Sequence, residues 1–240
     1  MKISVILPTY NEKENIAKLI KTIDAEFAKT KLKTEIIVVD DSSPDGTAEV
    51  VRKLKKRNVR LIVRTEKGLP TAIRRGLDEA TGDLISALDT DMSHPPAHLR
   101  KMAMKAGDEI CLINATRWAK NGKMHSSRAS ILFSKTINKL VKVFLKLPYT
   151  DYTGGFFVLS NEFYKKLSNV DKDFIFNGSN YGEYFIKFLA IAHKKGLRIS
   201  EEPFTYVARV KGTSKTSVMK HGKLYLNVIR ETQQWVKKHS

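Results

Sequence analysis

Five short apolar runs alternate with stretches of helical spacing in the first half of the chain. They are "ISVILPT" (3–9), "EIIVVDDSS" (35–43), "VRLIV" (59–63), "DLISALDTD" (83–91) and "EICLINATR" (109–117). Between the first two, "NEKENIAKLIKTIDAEFAK" (11–29) places Ile16, Leu19, Ile20 and Ile23 on one helical face, with Asn11 as its cap. "DGTAEVVRKLKKR", "PTAIRRGLDEAT" and "PPAHLRKMAMKA" read as further helices. Strands that are apolar throughout and alternate with helices must be covered on both faces, so the pattern predicts an α/β fold with a mostly parallel sheet. Such sheets bind ligands beyond the carboxyl ends of their strands. Those ends read Pro8–Glu12, Asp40–Ser43, Asp89–Ser93 and Arg117, and the first three carry carboxylates.

The second half is less regular. A helix is expected over 126–148, a turn and strand over 151–160, and a helix over 181–196. A strand interrupted by Pro203 follows at 197–209, then a polar loop at 211–217 and a terminal helix over 218–238. We therefore expect a main domain at 1–217, with a ligand-binding half (1–117) and a second half (118–217), and a C-terminal helix over 218–240. No repeat or low-complexity linker interrupts the chain.

Charge narrows the partners. Lys and Arg total 43 against 25 Asp and Glu, a net charge of +18, which favours polyanions such as nucleic acid, anionic lipid or phosphorylated ligands. A lysine-rich solvated surface alone would give the same count. The single cysteine, Cys111, excludes an intrachain disulfide and sits in an apolar run as an expected buried thiol. A signal peptide and an 18-residue apolar span are both missing from the reading, so a cytoplasmic protein is expected.

G-x-G-x-x-G after the first strand, G-x-x-x-x-G-K-[ST], G-x-S-x-G and zinc-type Cys/His spacings are all missing. What remains is Asp89-Thr90-Asp91 at a strand end. Adjacent carboxylates repel unless a cation lies between them, and a hard divalent ion such as Mg²⁺ or Mn²⁺ suits oxygen ligands and leaves positions for substrate phosphates. Taken alone, the same spacing is as readily an acidic turn with no ligand.

The surrounding motifs decide between these. "PTYNE" (8–12), "VVDDSSPDGT" (38–47), "EKGL" (66–69), "DTDMSHPP" (89–96) and "ATR" (115–117) occur in that order at strand ends. Together they resemble the family-2 glycosyltransferases of the GT-A fold, in the branch of dolichyl-phosphate mannose synthases and polyprenyl-phosphate glycosyltransferases, over about residues 3–215. The resemblance implies that Pro8, Tyr10 and Glu12 line a nucleotide pocket and that Val39 and Asp41 hold base and ribose. It implies that Asp89 and Asp91, with Thr90 and Ser93 alongside, bind the metal and donor diphosphate. Arg117 would face the phosphates, and "RVKGTSK" (209–215) would clamp the diphosphate through Arg209 and Lys215. The activity implied is an inverting, metal-dependent transfer of a sugar, mannose from GDP-mannose, to a polyprenyl or dolichyl phosphate. A lipid phosphate is already ionised and needs positioning cations more than a base. Another nucleotide sugar, such as UDP-glucose, with a soluble or polysaccharide acceptor is the alternative.

The acceptor half matches less closely. Where the family places an arginine four residues before a helix serine, Ser130 precedes Ser134 and Arg128 lies six residues back, so Arg117, Arg128 and Ser134 are the candidate acceptor-phosphate residues. Lys135, Lys139, Lys142 and Lys146 form one stripe on the 126–147 helix beside many apolar residues. That pattern suits a helix lying in a membrane interface, or a core-facing helix with a solvated edge. Membrane contact would then be peripheral, on the cytoplasmic face, directly or through a small anchoring partner. Nucleic-acid binding has only the charge in its favour, without its aromatic or helix-turn-helix signatures.

Overall fold

The computed structural model describes residues 1–106, 111–179, 181–207 and 218–239, the last segment with side chains from residue 222. The elements run β1 (Lys2–Thr9), α1 (Ile16–Phe27), β2 (Lys33–Asp40), α2 (Thr47–Lys53), β3 (Val59–Val63) and α3 (Leu69–Asp78). Then come β4 (Leu84–Ala87), α4 (Pro96–Lys105), β5 (Leu112–Thr116), β6 (Lys123–Met124), α5 (Arg128–Leu145) and β7 (Phe157–Ser160). The rest is α6 (Asn161–Lys166), α7 (Asn169–Phe176), α8 (Tyr184–Lys194), β8 (Ile199–Pro203), β9 (Thr205–Tyr206) and α9 (Val218–Lys238).

A seven-stranded sheet in the order β3-β2-β1-β4-β7-β5-β8 organises the molecule. Only β7 runs against its neighbours β4 and β5, so the mostly parallel sheet expected from the apolar runs is present. Successive side chains of a strand point to opposite faces. Accordingly Ile3, Val5 and Leu7 of β1 enter one buried cluster and Ile6 the other. Strand order reverses direction between β1 and β4, and a ligand crevice opens beyond the carboxyl ends of strands at such a switch point. Helix α3 crosses β1 closely at Gly76, where a Cβ would fall 2.4 Å from Ile6 Cγ2.

Several expectations are corrected. Asn11 does not cap α1: it sits at φ 61° in a turn, and the helix begins at Ile16 after Asn15. Cys111 is half-buried rather than buried. Two helices, α6 and α7, fill residues 161–176, where the apolar spacing is too short to stand out. Helix α7 is instead marked by a capping box between Ser168 and Asp171. The terminal helix α9 packs on α5 and α8. Lys187 of α8, 3% exposed, reaches Glu231 of α9 at 3.1 Å. Among the described residues no helix is long and apolar enough to cross a membrane.

Candidate active site

The loop after β4 builds the centre of the site. Thr90 Oγ1 lies 3.4 Å from the Pro8 carbonyl, tying the loop to the end of β1. Asp91, 4% exposed, accepts the Ser93 amide on Oδ1 at 3.0 Å, with Met92 between them at φ 67°. The Asp89 amide donates to His94 Nδ1 at 3.2 Å. His94 is buried and stacks on Phe156 with centroids 4.6 Å apart. Burial lowers its pKa against the opposing pull of Asp89 and Asp91, so the imidazole is neutral and its proton sits on Nε2. Pro95 then stops the strand direction and Pro96 opens α4.

The donor set suits a hard cation. Asp89 keeps 41% of its side chain exposed. The buried Ser93 Oγ has no hydrogen-bond partner among the described residues. His94 cannot join them through Nδ1, which is occupied. Among the described residues no group of three or more His, Cys, Asp and Glu gathers around one point. In their chemistry two carboxylates and a hydroxyl therefore fit an oxygen-loving divalent ion, which they would hold.

Around the ends of β1 and β2, side chains knit the neighbouring loops together. Asp41 accepts Arg64 Nε at 2.5 Å, Arg64 Nη2 at 3.0 Å and the Gly68 amide at 2.8 Å. Lys67 Nζ lies 3.2 Å from Tyr10 Oη and 4.8 Å above its ring. Glu12 accepts Asn15 Nδ2 at 2.8 Å, and its amide donates to Thr47 Oγ1 at 3.0 Å. Val39 is wholly buried in the core, so its side chain offers no surface to a base. Arg64 and Lys67 were not singled out from sequence; "EKGL" was the nearby signal, without a role.

An inner cavity of about 200 Å³ opens beside Asp89 and is lined also by Pro8, Arg117, Tyr184 and Tyr225. Arg117, 7% exposed, is held by Asp151, 0% exposed: Nε–Oδ2 is 2.7 Å and Nη2–Oδ1 is 2.8 Å. Arg117 Nη2 also donates to Thr153 Oγ1 at 2.9 Å. Burial works against both charges. The pair overcomes it, so the Asp151 carboxyl lies below its ordinary range and the Arg117 guanidinium stays charged. Arg117 thus stands just beyond the end of β5, with its charge matched by Asp151.

Arg117 also borders an outer cavity of about 650 Å³. Its other walls include Trp118, His125 and the Lys135, Lys139 and Lys142 stripe of α5. Asn138 fixes α5 there, donating to Ser134 O at 2.8 Å and Thr153 Oγ1 at 3.1 Å and accepting the Tyr152 amide at 2.6 Å. Of the candidate acceptor-phosphate residues, Arg117 lines this cavity, Ser134 does not line it but is bonded by Asn138, which does, and Arg128 is exposed at the first turn of α5 and lines neither cavity. Asp151, Asn138, Tyr184 and Tyr225 went unassigned from sequence. Arg209 and Lys215 lie outside the described residues.

Comparison with known proteins places this geometry. The model of the family "Glycosyl transferase family 2" matches residues 4–168. A dolichol-phosphate mannosyltransferase of Pyrococcus furiosus is 37% identical over 90% of this chain and 59% of its own length. Its counterpart in Saccharomyces cerevisiae is 31% identical over 96% of this chain and 85% of its own. This chain thus spans about three fifths of the archaeal relative. Among solved structures, mannosyl-3-phosphoglycerate synthase from Rubrobacter xylanophilus superposes with a TM-score of 0.69 at 18% identity, over 100% of this chain and 75% of that one. Glucosyl-3-phosphoglycerate synthase from Mycobacterium tuberculosis, in complex with Mn²⁺, UDP and glucosyl-3-phosphoglycerate, gives 0.66 at 19% identity over 96% and 78%. These two show the shared GT-A fold. From the matched model and the curated relatives, the chain belongs to glycosyl transferase family 2.

Proposed function

We propose that the chain transfers mannose from GDP-mannose, with inversion, to a polyprenyl or dolichyl phosphate at a membrane surface. The observation that carries this reading is the shared wall at Arg117. One buried guanidinium borders both the cavity that holds Asp89 and the cavity lined by the α5 lysines. A transferase needs a donor and an acceptor to meet at such a boundary. Among the described residues no carboxylate lines the outer cavity, whereas cations do. A neutral hydroxyl acceptor needs a general base; an ionised phosphate acceptor needs only positioning. This favours the lipid phosphate over a polysaccharide acceptor.

Asp89 and Asp91, with Ser93 beside them, would hold Mg²⁺ or Mn²⁺, which neutralises charge on the diphosphate when bound. Pro8, Tyr10, Glu12 and Asp41 frame the nucleotide side, with Arg64 and Gly68 bracing Asp41. Arg209 and Lys215 are proposed to close over the diphosphate. Arg117 orients the phosphate oxygens of donor and acceptor, and Lys135 and Lys139 draw the acceptor headgroup towards it. The exposed apolar side chains of α5 and α9, Leu132 (69%), Val143 (60%), Phe144 (50%) and Leu226 (51%), would meet the lipid. The protein would sit peripherally on the cytoplasmic face, directly or through a small anchoring partner.

The test is sugar transfer to a polyprenyl phosphate in detergent, with Mn²⁺ or Mg²⁺ and separate GDP-mannose and UDP-glucose donors. A mannosyl lipid from GDP-mannose is expected. No lipid-linked product with either donor would overturn the reading, and transfer from UDP-glucose alone would overturn the choice of sugar nucleotide.

A further inference from the structure

Buried tyrosine hydroxyls in this protein are satisfied almost everywhere. Tyr152 Oη donates to the Leu147 and Tyr149 carbonyls at 2.7 Å, Tyr164 Oη to Asp78 at 2.8 Å, and Tyr149 Oη pairs with His193 at 2.8 Å. This is the normal state of a buried phenol. Tyr184, and the half-buried Tyr225, differ from these. Both line the inner cavity beside Asp89, and neither hydroxyl has a hydrogen-bond partner among the described residues. Tyr184 is only 2% exposed.

Their rings are fixed while their oxygens are not. Tyr184 stacks on Phe176 with centroids 5.7 Å apart, and Tyr225 meets Phe133 of α5 edge-on at 6.1 Å. Gly155 keeps the space around the Tyr184 oxygen open, whereas the surroundings of the Tyr225 oxygen would tolerate a side chain at Gly182. A Cβ on Gly155 would lie 3.3 Å from Tyr184 Oη, and one on Gly182 would lie 4.0 Å from Tyr225 Oη. The surrounding protein and neighbouring acidic groups raise the pKa of both hydroxyls. Both therefore stay neutral, each able to donate one hydrogen bond and accept others.

The rest of the cavity indicates what they meet. Among the described residues its charged groups are Asp89 and Arg117, and Leu69 and Ile73 supply apolar wall. A volume of about 200 Å³ is below the range of about 300–1,000 Å³ typical of drug-sized ligands. That suits one compact, hydroxyl-bearing ring better than a whole nucleotide sugar. Its hydroxyls could donate to Asp89 and accept from the phenols.

We propose that Tyr184 and Tyr225 contact the hydroxyls of the transferred sugar and select it. This rests on the transferase reading above. Both residues lie beyond position 168, where the family match ends, and Tyr225 comes from the C-terminal helix, so sugar choice would be set outside the shared nucleotide-binding core. A site built to bond a hydroxyl discriminates strongly against a ligand that cannot make the bond.

The experiment compares wild type, Tyr184→Phe and Tyr225→Phe by calorimetry in Mn²⁺, with GDP-mannose against GDP and UDP-glucose against UDP. Removing one oxygen keeps the ring packing. Each variant should weaken the sugar nucleotide that wild type binds by about three- to tenfold and leave the matching diphosphate unchanged. An unchanged ratio of the two affinities, or equal weakening of both, would overturn the assignment while leaving the transferase reading intact. If wild type binds neither sugar nucleotide, both fail together.

Discussion

Asp151 holds Arg117 through both carboxylate oxygens and also accepts the Arg117 backbone amide at 3.0 Å. The arginine that borders both cavities is thus locked at side chain and main chain by one fully buried acid. Removing that acid leaves a buried cation without its partner. Asp151→Ala should cost about 3–5 kcal/mol, read as a lower midpoint in urea unfolding. Arg117→Lys keeps the charge but loses the two-pronged grip, so it should destabilise less and still lose most transfer activity.

The same carboxylate sets an acid limit. Burial alone would raise the Asp151 pKa, but Arg117 outweighs it and the folded value is lowered. A carboxylate with a lowered folded pKa stabilises the fold above its unfolded value. That stabilisation drains away as pH falls from about 4 towards the folded value. Stability measured by denaturant midpoints should therefore drop below about pH 4, and Asp151→Asn should flatten that limb while lowering stability at neutral pH.

On the proposed mechanism, Asp89→Asn and Asp91→Asn should each lower transfer by about 100-fold or more, the scale for losing one preorganised electrostatic contact, with unchanged circular dichroism. Ser93→Ala separates two roles of the orphaned hydroxyl. Removing an unpartnered buried hydroxyl should leave stability unchanged or improved. If Ser93 also ligates the ion, Mn²⁺ titration followed by electron paramagnetic resonance should show weaker binding in this variant.

The lysine stripe should govern the acceptor and not the donor. Lys135→Ala and Lys139→Ala should raise KM for polyprenyl phosphate several-fold and leave that for the sugar nucleotide unchanged. Flotation with anionic vesicles should fall by about 1 kcal/mol per lysine removed and weaken with added salt. Replacing Leu132, Val143 and Phe144 by serine should reduce flotation with neutral and anionic vesicles alike. Equal failure of wild type with both vesicle types would leave α5 as a core-facing helix.

The donor side was the more legible half. Apolar runs without alternation foretold a sheet covered on both faces, and Pro8, Asp41 and Asp89 stand at strand ends because that is where such runs stop. Antiparallel β7 was invisible as such, since a four-residue apolar strand carries no mark of direction. Asp151 escaped notice because its partner lies 34 positions away; neither residue alone signals a buried pair. Lys187 illustrates the same limit. In sequence it breaks an apolar helix, and only the packing of α9 supplies Glu231 to match it.

On the proposed function, a single guanidinium bordering both cavities would make their occupants thermodynamically dependent on one another. An anion settling on one side of Arg117 draws on the same positive charge that an anion on the other side would use. By linkage, whatever factor the first changes the affinity of the second, the second must return to the first. On the proposed mechanism, nucleoside diphosphate left behind after transfer and lipid phosphate waiting to enter would compete for one charge without sharing a cavity, so departure of the first product would set how readily the next acceptor is taken.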